Sequence, residues 1–427
     1  MGSILLVPPL NVDQRRLPPT LTYGLYSLQA LAKDWGGDVE VLSFARPDFR
    51  ARAFACSEEM VEAVVDLVDT DRHEIVGFST MCGSFHHSIA AACSLVRRSP
   101  KTRVWLGGPH ASIASRPLLE AFSEIEAVFV GESEATFREV LSRREETADT
   151  PLAGIAGVCA RNSPFVPRDL IADLDTLPYV DEAPGFADAA AESRGTGVGH
   201  ALPLEAERGC PGRCSFCSTS SFWGRRVRKK THSRVITEMH RLRASTGTTS
   251  FALIGDNAAS PRAHLLALCA AMHEQAPDYQ WICQLKVDQL EESDLEVLWQ
   301  GGCRGFFVGV ESASQDTLDR IHKGADLTKE LRLIDAAVEL GFRVITSFIV
   351  GFPWETKGDI ERTLSLHADL LRRGVFYSML SAVCPLPGTE LARSTRGRLR
   401  KRAGISLTSS DGLPYGPETI KMMERCP

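Results

Sequence analysis

The chain has 427 residues, 44% hydrophobic, 24% charged and 7% aromatic, enough for two or three domains with sizeable cores. Its net charge of −6 gives no global reason to expect nucleic acid or an anionic membrane as partner, and no apolar run reaches the length of a membrane span. Of twelve cysteines, nine (Cys56, Cys82, Cys93, Cys159, Cys269, Cys283, Cys303, Cys384 and Cys426) lack any paired spacing, as in a reduced, cytoplasmic chain whose cysteines are mostly small core residues. "MGSILLVPPLN" has no basic n-region, so no signal peptide is expected.

Residues 1–150 alternate strand and helix patterns. The strands are "SILLVPP", "DVEVLSF", "EIVGFST", "RVWLGG" and "AVFVG", and amphipathic segments such as "LTYGLYSLQALAKDWGG" and "SEEMVEAVVDLVDT" fall between them. Five apolar strands separated by helices predict a doubly wound parallel sheet, whose ligands sit beyond the carboxyl ends of its strands. The loops there, "PPLN", "STMCGSFHH", "GGPHAS" and "GES", are small and polar and allow close approach of a bulky ligand. Neither G-x-G-x-x-G nor a P-loop occurs, which disfavours a dinucleotide or ATP.

Residues 151–200 are rich in Pro, Ala, Asp and Gly and read as a linker, with "AESRGTGVGH" as its mobile part. From 201 to 395 a second alternation begins: "LPLEAERG", "TSFALIGD", "YQWICQLK", "GFFVGVES", "RVITSFIVGFP" and "FYSMLSAVCPLPG", with helical patterns between. Six β/α units predict a partial barrel with its chemistry at the carboxyl ends of the strands. Residues 396–427 read as a short tail.

The first of those strands runs into "ERGCPGRCSFC", which sets Cys210, Cys214 and Cys217 in a C-x3-C-x2-C spacing. Structural zinc uses four ligands, and a [4Fe-4S] cluster usually takes four cysteines. Three leave one iron open to another ligand. With this loop on a barrel's first strand, the chain resembles the radical S-adenosylmethionine (SAM) superfamily. More narrowly, it resembles the cobalamin-binding radical SAM enzymes, which join a flavodoxin- or Rossmann-like B12 domain to a partial (β/α)6 barrel. "VWLGGPHAS", "VGES", "LDTLP", "ERGCPGRCSFC", "FALIGDN", "VGVESAS", "FIVGFPWET" and "PLPGTEL" carry the likeness in order, over roughly residues 4–392.

The resemblance implies that Cys210, Cys214 and Cys217 bind three irons of a [4Fe-4S] cluster while SAM chelates the fourth. One electron from the cluster, delivered by a reductant such as flavodoxin or ferredoxin, then cleaves SAM to methionine and a 5'-deoxyadenosyl radical. By the same likeness Phe216 lies beside the adenine, and Asp256 with Asn257 takes the methionine amino group. Glu311 lies near the ribose and methionine, while Ser347, Gly351 and Pro353 pass under the adenosyl group. For Phe216 the competing reading is packing, for Glu311 a structural salt bridge, and for Gly351 a plain turn.

Cobalamin is implied for the first domain, held through its nucleotide tail and ring amides by Ser79, Ser84, Gly107, Gly108, His110, Gly131 and Glu132. Gly108 is the position where a bulky side chain is expected to block the tail. The D-x-H-x-x-G pattern of a histidine-ligated cobalt is missing. Its near-miss, Asp71-Arg72-His73 with Gly77, is one residue too long and lies before the third strand. His86, His87 and Cys82 are read as structural, and a vestigial domain without B12 is the alternative.

The implied reaction is methylation of an unactivated carbon of a natural product, peptide or other metabolite through methylcobalamin. Rearrangement, oxidation or cyclisation without methyl transfer stays open, as does a non-catalytic, cluster-bearing accessory role. Cys384 in "SAVCPLPG" is a substrate contact, a ligand of the resting cluster or an ordinary buried cysteine. The basic runs "GRRVRKK" and "RSTRGRLRKR" are weighed against nucleic acid because the chain as a whole is acidic. Oligomeric state is not legible.

Overall fold

A parallel sheet covered on both sides must bury the side chains of both its faces. The computed structural model describes residues 3–11, 17, 21–33, 38–44, 49, 52–146, 152–193 and 201–395, and its first sheet meets that demand. β1 (Ser3–Val7), β2 (Val39–Val41), β3 (His73–Ser79), β4 (Arg103–Gly107), β5 (Ala127–Phe129) and β6 (Val158–Ala160) lie in the order β2-β1-β3-β4-β5-β6. Leu5, Val7, Val76, Phe78, Val104 and Leu106 enter one core with residues of the helices Ser57–Asp66 and Phe85–Arg98. Their neighbours Ile4, Leu6, Ile75, Trp105 and Phe129 enter a second core with Leu25, Leu31, Phe137 and Val140. The first five strands are parallel, and the order 2-1-3-4-5 is flavodoxin-like, with its switch point between β1 and β3.

The second sheet contains β7 (Leu202–Glu205), β10 (Ser250–Ile254), β11 (Gln280–Gln284), β12 (Cys303–Glu311), β13 (Arg343–Val350) and β14 (Tyr377–Ala382). All pair parallel in chain order, with helices in each connection. This is the open (β/α)6 arrangement, with β7 and β14 as its edges. β8 (Glu207–Arg208) and β9 (Arg228–Lys229) form a separate antiparallel ribbon. Tyr377, Met379 and Leu380 of β14 are exposed.

The first unit extends further than the alternating pattern of residues 1–150. β6 lies in the stretch read as linker and pairs antiparallel with β5. Residues 176–193 also belong to this unit, and Phe186 packs edge-on against Tyr26 at 5.5 Å. Between them, Ala172–Asp175 belongs to the second unit. There the Asp175 carboxylate accepts the Thr231 N–H (2.9 Å) and hydroxyl (2.6 Å), bracing the start of the helix His232–Thr246. "GPHASI", read as loop, is the short helix Gly108–Ile113. Residues 194–200, most of the expected mobile stretch, and the tail 396–427 lie outside the described residues.

Gly108 has a φ of 90°, and a Cβ on it would lie 2.6 Å from the Thr80 carbonyl oxygen and 2.8 Å from the Thr80 nitrogen. Gly108→Ala is therefore expected to destabilise the first unit by on the order of 2 kcal/mol, from strain and overlap together. Gly24, helical and with nothing within 4 Å of a built Cβ, is the control. Gly24→Ala is expected to cost nothing and to stabilise by at most about 1 kcal/mol. Thermal unfolding of the two variants side by side checks both.

Candidate active site

From β7 the chain passes through Glu207 and Arg208 into the cysteine loop. Cys210, Cys214 and Cys217 are unbridged and partly buried. A Cβ on Gly212 would lie 3.3 Å from Cys210 Sγ and 3.9 Å from Cys214 Sγ, so both sulfurs close over that glycine. Burial pushes the Cys210 and Cys214 thiols above their ordinary pKa. The loop is tied from several sides. Gly209 N–H donates to Asp256 Oδ2 (2.9 Å), and Ser215 N–H donates to the Ile321 carbonyl (2.8 Å). The Ser215 carbonyl in turn accepts the Leu391 N–H (2.8 Å), so "PLPGTEL" pins the loop.

Asp256 also accepts the Thr219 hydroxyl (3.1 Å), and burial pushes its carboxyl up. Asn257 is 1% exposed; its side chain donates to Gln289 Oε1 (2.9 Å) and accepts the Lys286 N–H (3.0 Å). Its own N–H donates to Glu207 Oε1 (2.8 Å). Both strand-end residues thus brace the loop.

Glu311 ends β12 with a φ of 68°, at a register shift against β13. Its carboxylate meets Lys323 Nζ at 3.1 Å, both side chains being buried. The salt bridge open as a reading of Glu311 is present. A Cβ on Gly309 would overlap Glu311 Oε1, so that glycine makes room for the pair. Phe216 joins Phe352, Leu318, Ile321 and Leu391 in an apolar cluster, 6.2 Å from the Phe352 ring. Gly351 has a φ of 92°, and its N–H and that of Phe352 donate to Glu355 Oε2 (2.6 and 2.8 Å). Ser347 lies between Gly309 and Met379 across the sheet. Cys384 is exposed, which removes the buried-cysteine reading.

In the first unit a cavity of about 70 Å³ opens at the carboxyl ends of β3 and β4, lined among others by Leu6, Ser79, Trp105, Gly107, Gly108 and Phe129. Ser84 and His110 are both 2% exposed. Ser84 Oγ and both ring nitrogens of His110 have no hydrogen-bond partner among the described residues. His110 stacks on Phe85 at 3.7 Å, and burial lowers its pKa to about 4. His86 and His87 touch through their Nε2 atoms (3.1 Å), and burial lowers them to about 3 and about 4. Glu132 is buried, and its Oε2 accepts the Ile171 N–H at 2.6 Å. Gly131 has a φ of 78° with open space where a side chain would be. His73, the rejected near-miss, is buried at the amino end of β3 and bonded to the Ser3 hydroxyl.

Residues 205–367 match the radical SAM superfamily, and residues 17–141 match the B12 binding domain. The chain belongs to the cobalamin-binding radical SAM enzymes. It is 26% identical over 400 residues to an uncharacterized methyltransferase of Pyrococcus horikoshii, covering 92% of this chain and 82% of that protein. It is 25% identical over 438 residues to the cytidylyl-2-hydroxyethylphosphonate methyltransferase of Streptomyces wedmorensis, covering 92% and 81%. Its fold is that of the radical SAM methyltransferase TsrM from Kitasatospora setae, solved with cobalamin and a [4Fe-4S] cluster bound. The TM-score is 0.69 at 20% identity, covering 95% of this chain and 77% of that one. A [4Fe-4S] cluster, SAM and cobalamin are accordingly the cofactors of this radical SAM enzyme.

The residues present fit all three. No three His, Cys, Asp or Glu side chains among the described residues converge on one ion. A cubane makes no such demand, because each thiolate takes its own iron. The Trp354 indole N–H, next to the Phe216 cluster, is buried and without a partner among the described residues, and so are the polar atoms of Ser84 and His110. Such orphaned atoms suit sites completed by a ligand. Gly108 fits for another reason than the expected one: it clears the Thr80 backbone, so a tryptophan there would disturb the protein before it met any cofactor.

The sequence reading missed four residues around the loop: Glu207, Lys229, Lys286 and Lys323. Glu207 is buried and pairs with Lys229; burial pushes its carboxyl up while that lysine pulls it back. Lys230 pairs with Glu238 at 2.8 Å, so the end of the basic run "GRRVRKK" is turned inward, while Arg225 and Arg226 are exposed. Lys286 Nζ donates to the carbonyls of Lys323 (2.8 Å) and Gly324 (3.1 Å).

Glu330, on the helix Leu327–Glu339, is fully buried, with no partner for either oxygen among the described residues. Burial pushes its carboxyl from the ordinary 4.5 up to about 8. The folded chain thus keeps a proton that the unfolded chain releases, and stability falls as pH rises between those values. Glu330→Gln is expected to stabilise the protein at neutral pH, with a gain that grows from about pH 5 to about pH 8 and vanishes below about pH 4. Melting temperatures of the two proteins across that range are the measurement.

Proposed function

We propose that the chain is a cobalamin-dependent radical SAM methyltransferase that acts on a carbon of a small-molecule substrate. The observation that carries this reading is a tied loop of three free thiols at the carboxyl end of the second sheet, in a chain that also has a B12 domain. When bound, the cluster and SAM supply a 5'-deoxyadenosyl radical, and cobalamin carries the methyl group. Cys210, Cys214 and Cys217 hold the cluster. Asp256 and Asn257 keep the loop in place from the end of β10, and Glu311 stands at the end of β12 for the polar part of SAM. Phe216 and Phe352 exclude water from the side of Gly351. Ser79 and Gly107 line the cavity assigned to cobalamin, Gly131 follows β5, and Ser84 and His110 offer their unpartnered polar atoms to amides of the corrin. Histidine is not assigned to cobalt.

The exposed side chains of β14 and Cys384 leave room for substrate at the open side of the second sheet. TsrM has been solved with tryptophan as substrate and a SAM analogue, which supports a small molecule here. A flavodoxin or ferredoxin in a reducing compartment serves as electron donor. No helix among the described residues is long and apolar enough to cross a membrane.

Anaerobically reconstituted protein is expected to hold one [4Fe-4S] cluster and to release 5'-deoxyadenosine from SAM when reduced. Cys210→Ala, Cys214→Ala and Cys217→Ala should each lose both properties, while Cys269→Ala keeps them; full iron and sulfide in all three variants would sink the assignment. With methyl-deuterated SAM, mass spectrometry of candidate substrates should show a gain of a labelled methyl group. SAM cleavage with substrate change but without label would instead favour a radical rearrangement or oxidation.

His110→Phe keeps the shape and the stack on Phe85 but removes both nitrogens. It should weaken hydroxocobalamin binding about tenfold, the scale of one lost hydrogen bond, with iron content unchanged. Cob(II)alamin bound to the wild-type protein should show no nitrogen superhyperfine splitting by electron paramagnetic resonance. Such splitting, if it is lost when His86, His87 or His110 is replaced, would refute the histidine-free reading.

A further inference from the structure

Lys323 is 9% exposed and lies in the turn between the helices Gln315–Arg320 and Leu327–Glu339. A buried ammonium is costly unless opposite charge surrounds it. Glu311 Oε1 lies 3.1 Å from its Nζ, and Lys286 grips the backbone of Lys323 and Gly324 through two hydrogen bonds. The ammonium is thereby fixed in place. Burial works against its charge, but the Glu311 carboxylate beside it outweighs that and keeps it protonated. The segment that carries this ammonium is tied to the cysteine loop, since the carbonyl of Ile321, two residues before Lys323, accepts the N–H of Ser215, next to Cys214, at 2.8 Å. No ligand-binding motif accounts for a lysine here.

We propose that Lys323 is a positioning residue that sets the reduction potential of the cluster by fixing one buried positive charge within electrostatic reach of Cys214, between Glu311 and Glu330. The proposal rests on the assignment of the three cysteines to the cluster. Reduction adds one negative charge to the cluster, so a fixed positive charge nearby stabilises the reduced form more than the oxidised one and raises the potential. Exposure would weaken that effect through screening, and burial preserves it.

Glu330 is the counterpart. The charged groups that act on it are Lys323, Asp288, Glu311 and Lys286. With its proton in place it leaves the Lys323–Glu311 pair without a further negative charge beside it, and when ionised it adds one. Since burial holds its pKa near 8, the cluster potential should fall as pH rises through the weakly alkaline range.

The test is a reductive titration of the reconstituted full chain without SAM, followed by electron paramagnetic resonance, together with iron and sulfide content. Lys323→Met keeps the length and removes the charge; it should retain iron and shift the potential to more negative values. Lys323→Arg should return most of that shift. Glu330→Gln should match the wild type at pH 7 and lack its fall toward pH 9. A Lys323→Met protein that is fully loaded and has the wild-type potential overturns the proposal. If Lys323→Met loads no iron, Glu330→Gln decides: a wild-type potential that falls with pH relative to this variant upholds the proposal, and parallel profiles overturn it. Failure of the underlying assignment reads differently, as full iron content in the three cysteine variants.

Discussion

Glu207 carries a carboxylate beneath the cysteine loop, where water does not reach it, and three segments bend to meet it. Asn257 brings its backbone N–H from the end of β10, Lys229 its ammonium from β9, and Gly255 gives up a side chain so that the carboxylate fits. A buried carboxylate without these partners costs several kcal/mol, and removing one partner of such a pair typically costs about 3–5 kcal/mol. The strand that leads into the thiols, the ribbon that follows them and the next strand end therefore move as one piece. Because Asp256, next in sequence, holds the Gly209 N–H, the same brace fixes where the loop begins.

The two units build their sites by different physics. In the second, charge is taken inside and paired: Glu207 with Lys229, Glu311 with Lys323, Lys230 with Glu238. In the first, the helices that follow β3 and β4 bring neutral histidines to the carboxyl edge of the sheet. His86, His87 and His110 are all kept uncharged by burial, and the adjoining cavity is largely apolar. A cofactor with a large ring and many amides suits neutral donors and acceptors, whereas a cluster with thiolates and a sulfonium-bearing ligand needs managed charge. Each parallel sheet places these groups at one end, since every crossover returns the chain to the same edge.

What the sequence revealed and what it hid follow from sequence distance. The three cysteines lie within eight residues, so their common task shows in the spacing. The positions of Asp256, Glu311 and Gly351 at strand ends were legible because each ends an apolar run. Glu330 was not, because it sits within an ordinary amphipathic helix and only the crossover from β12 to β13 brings it against Lys323 and Glu311. Lys229 and Lys230 read only as part of a basic run because Glu207 and Glu238 stand 22 and 8 residues away. The bond from Ile171 to Glu132, 39 residues back, leaves no local mark in the sequence. β6 escaped notice as a three-residue antiparallel strand in a segment with no periodicity to read.

The arrangement of Gly309, Glu311 and Lys323 has a consequence for how this protein can vary. A methyl group at 309 would occupy the place of the Glu311 carboxylate, and the carboxylate's orientation depends on the ammonium at 323. Residues in direct contact do not contribute independently. Substitutions at these three positions should therefore be strongly epistatic: alanine at 309 is harmful with glutamate at 311 and far milder once a shorter residue stands there. Such a trio changes as a set or not at all, so divergence among related chains is channelled away from this strand end and into the helices that surround it.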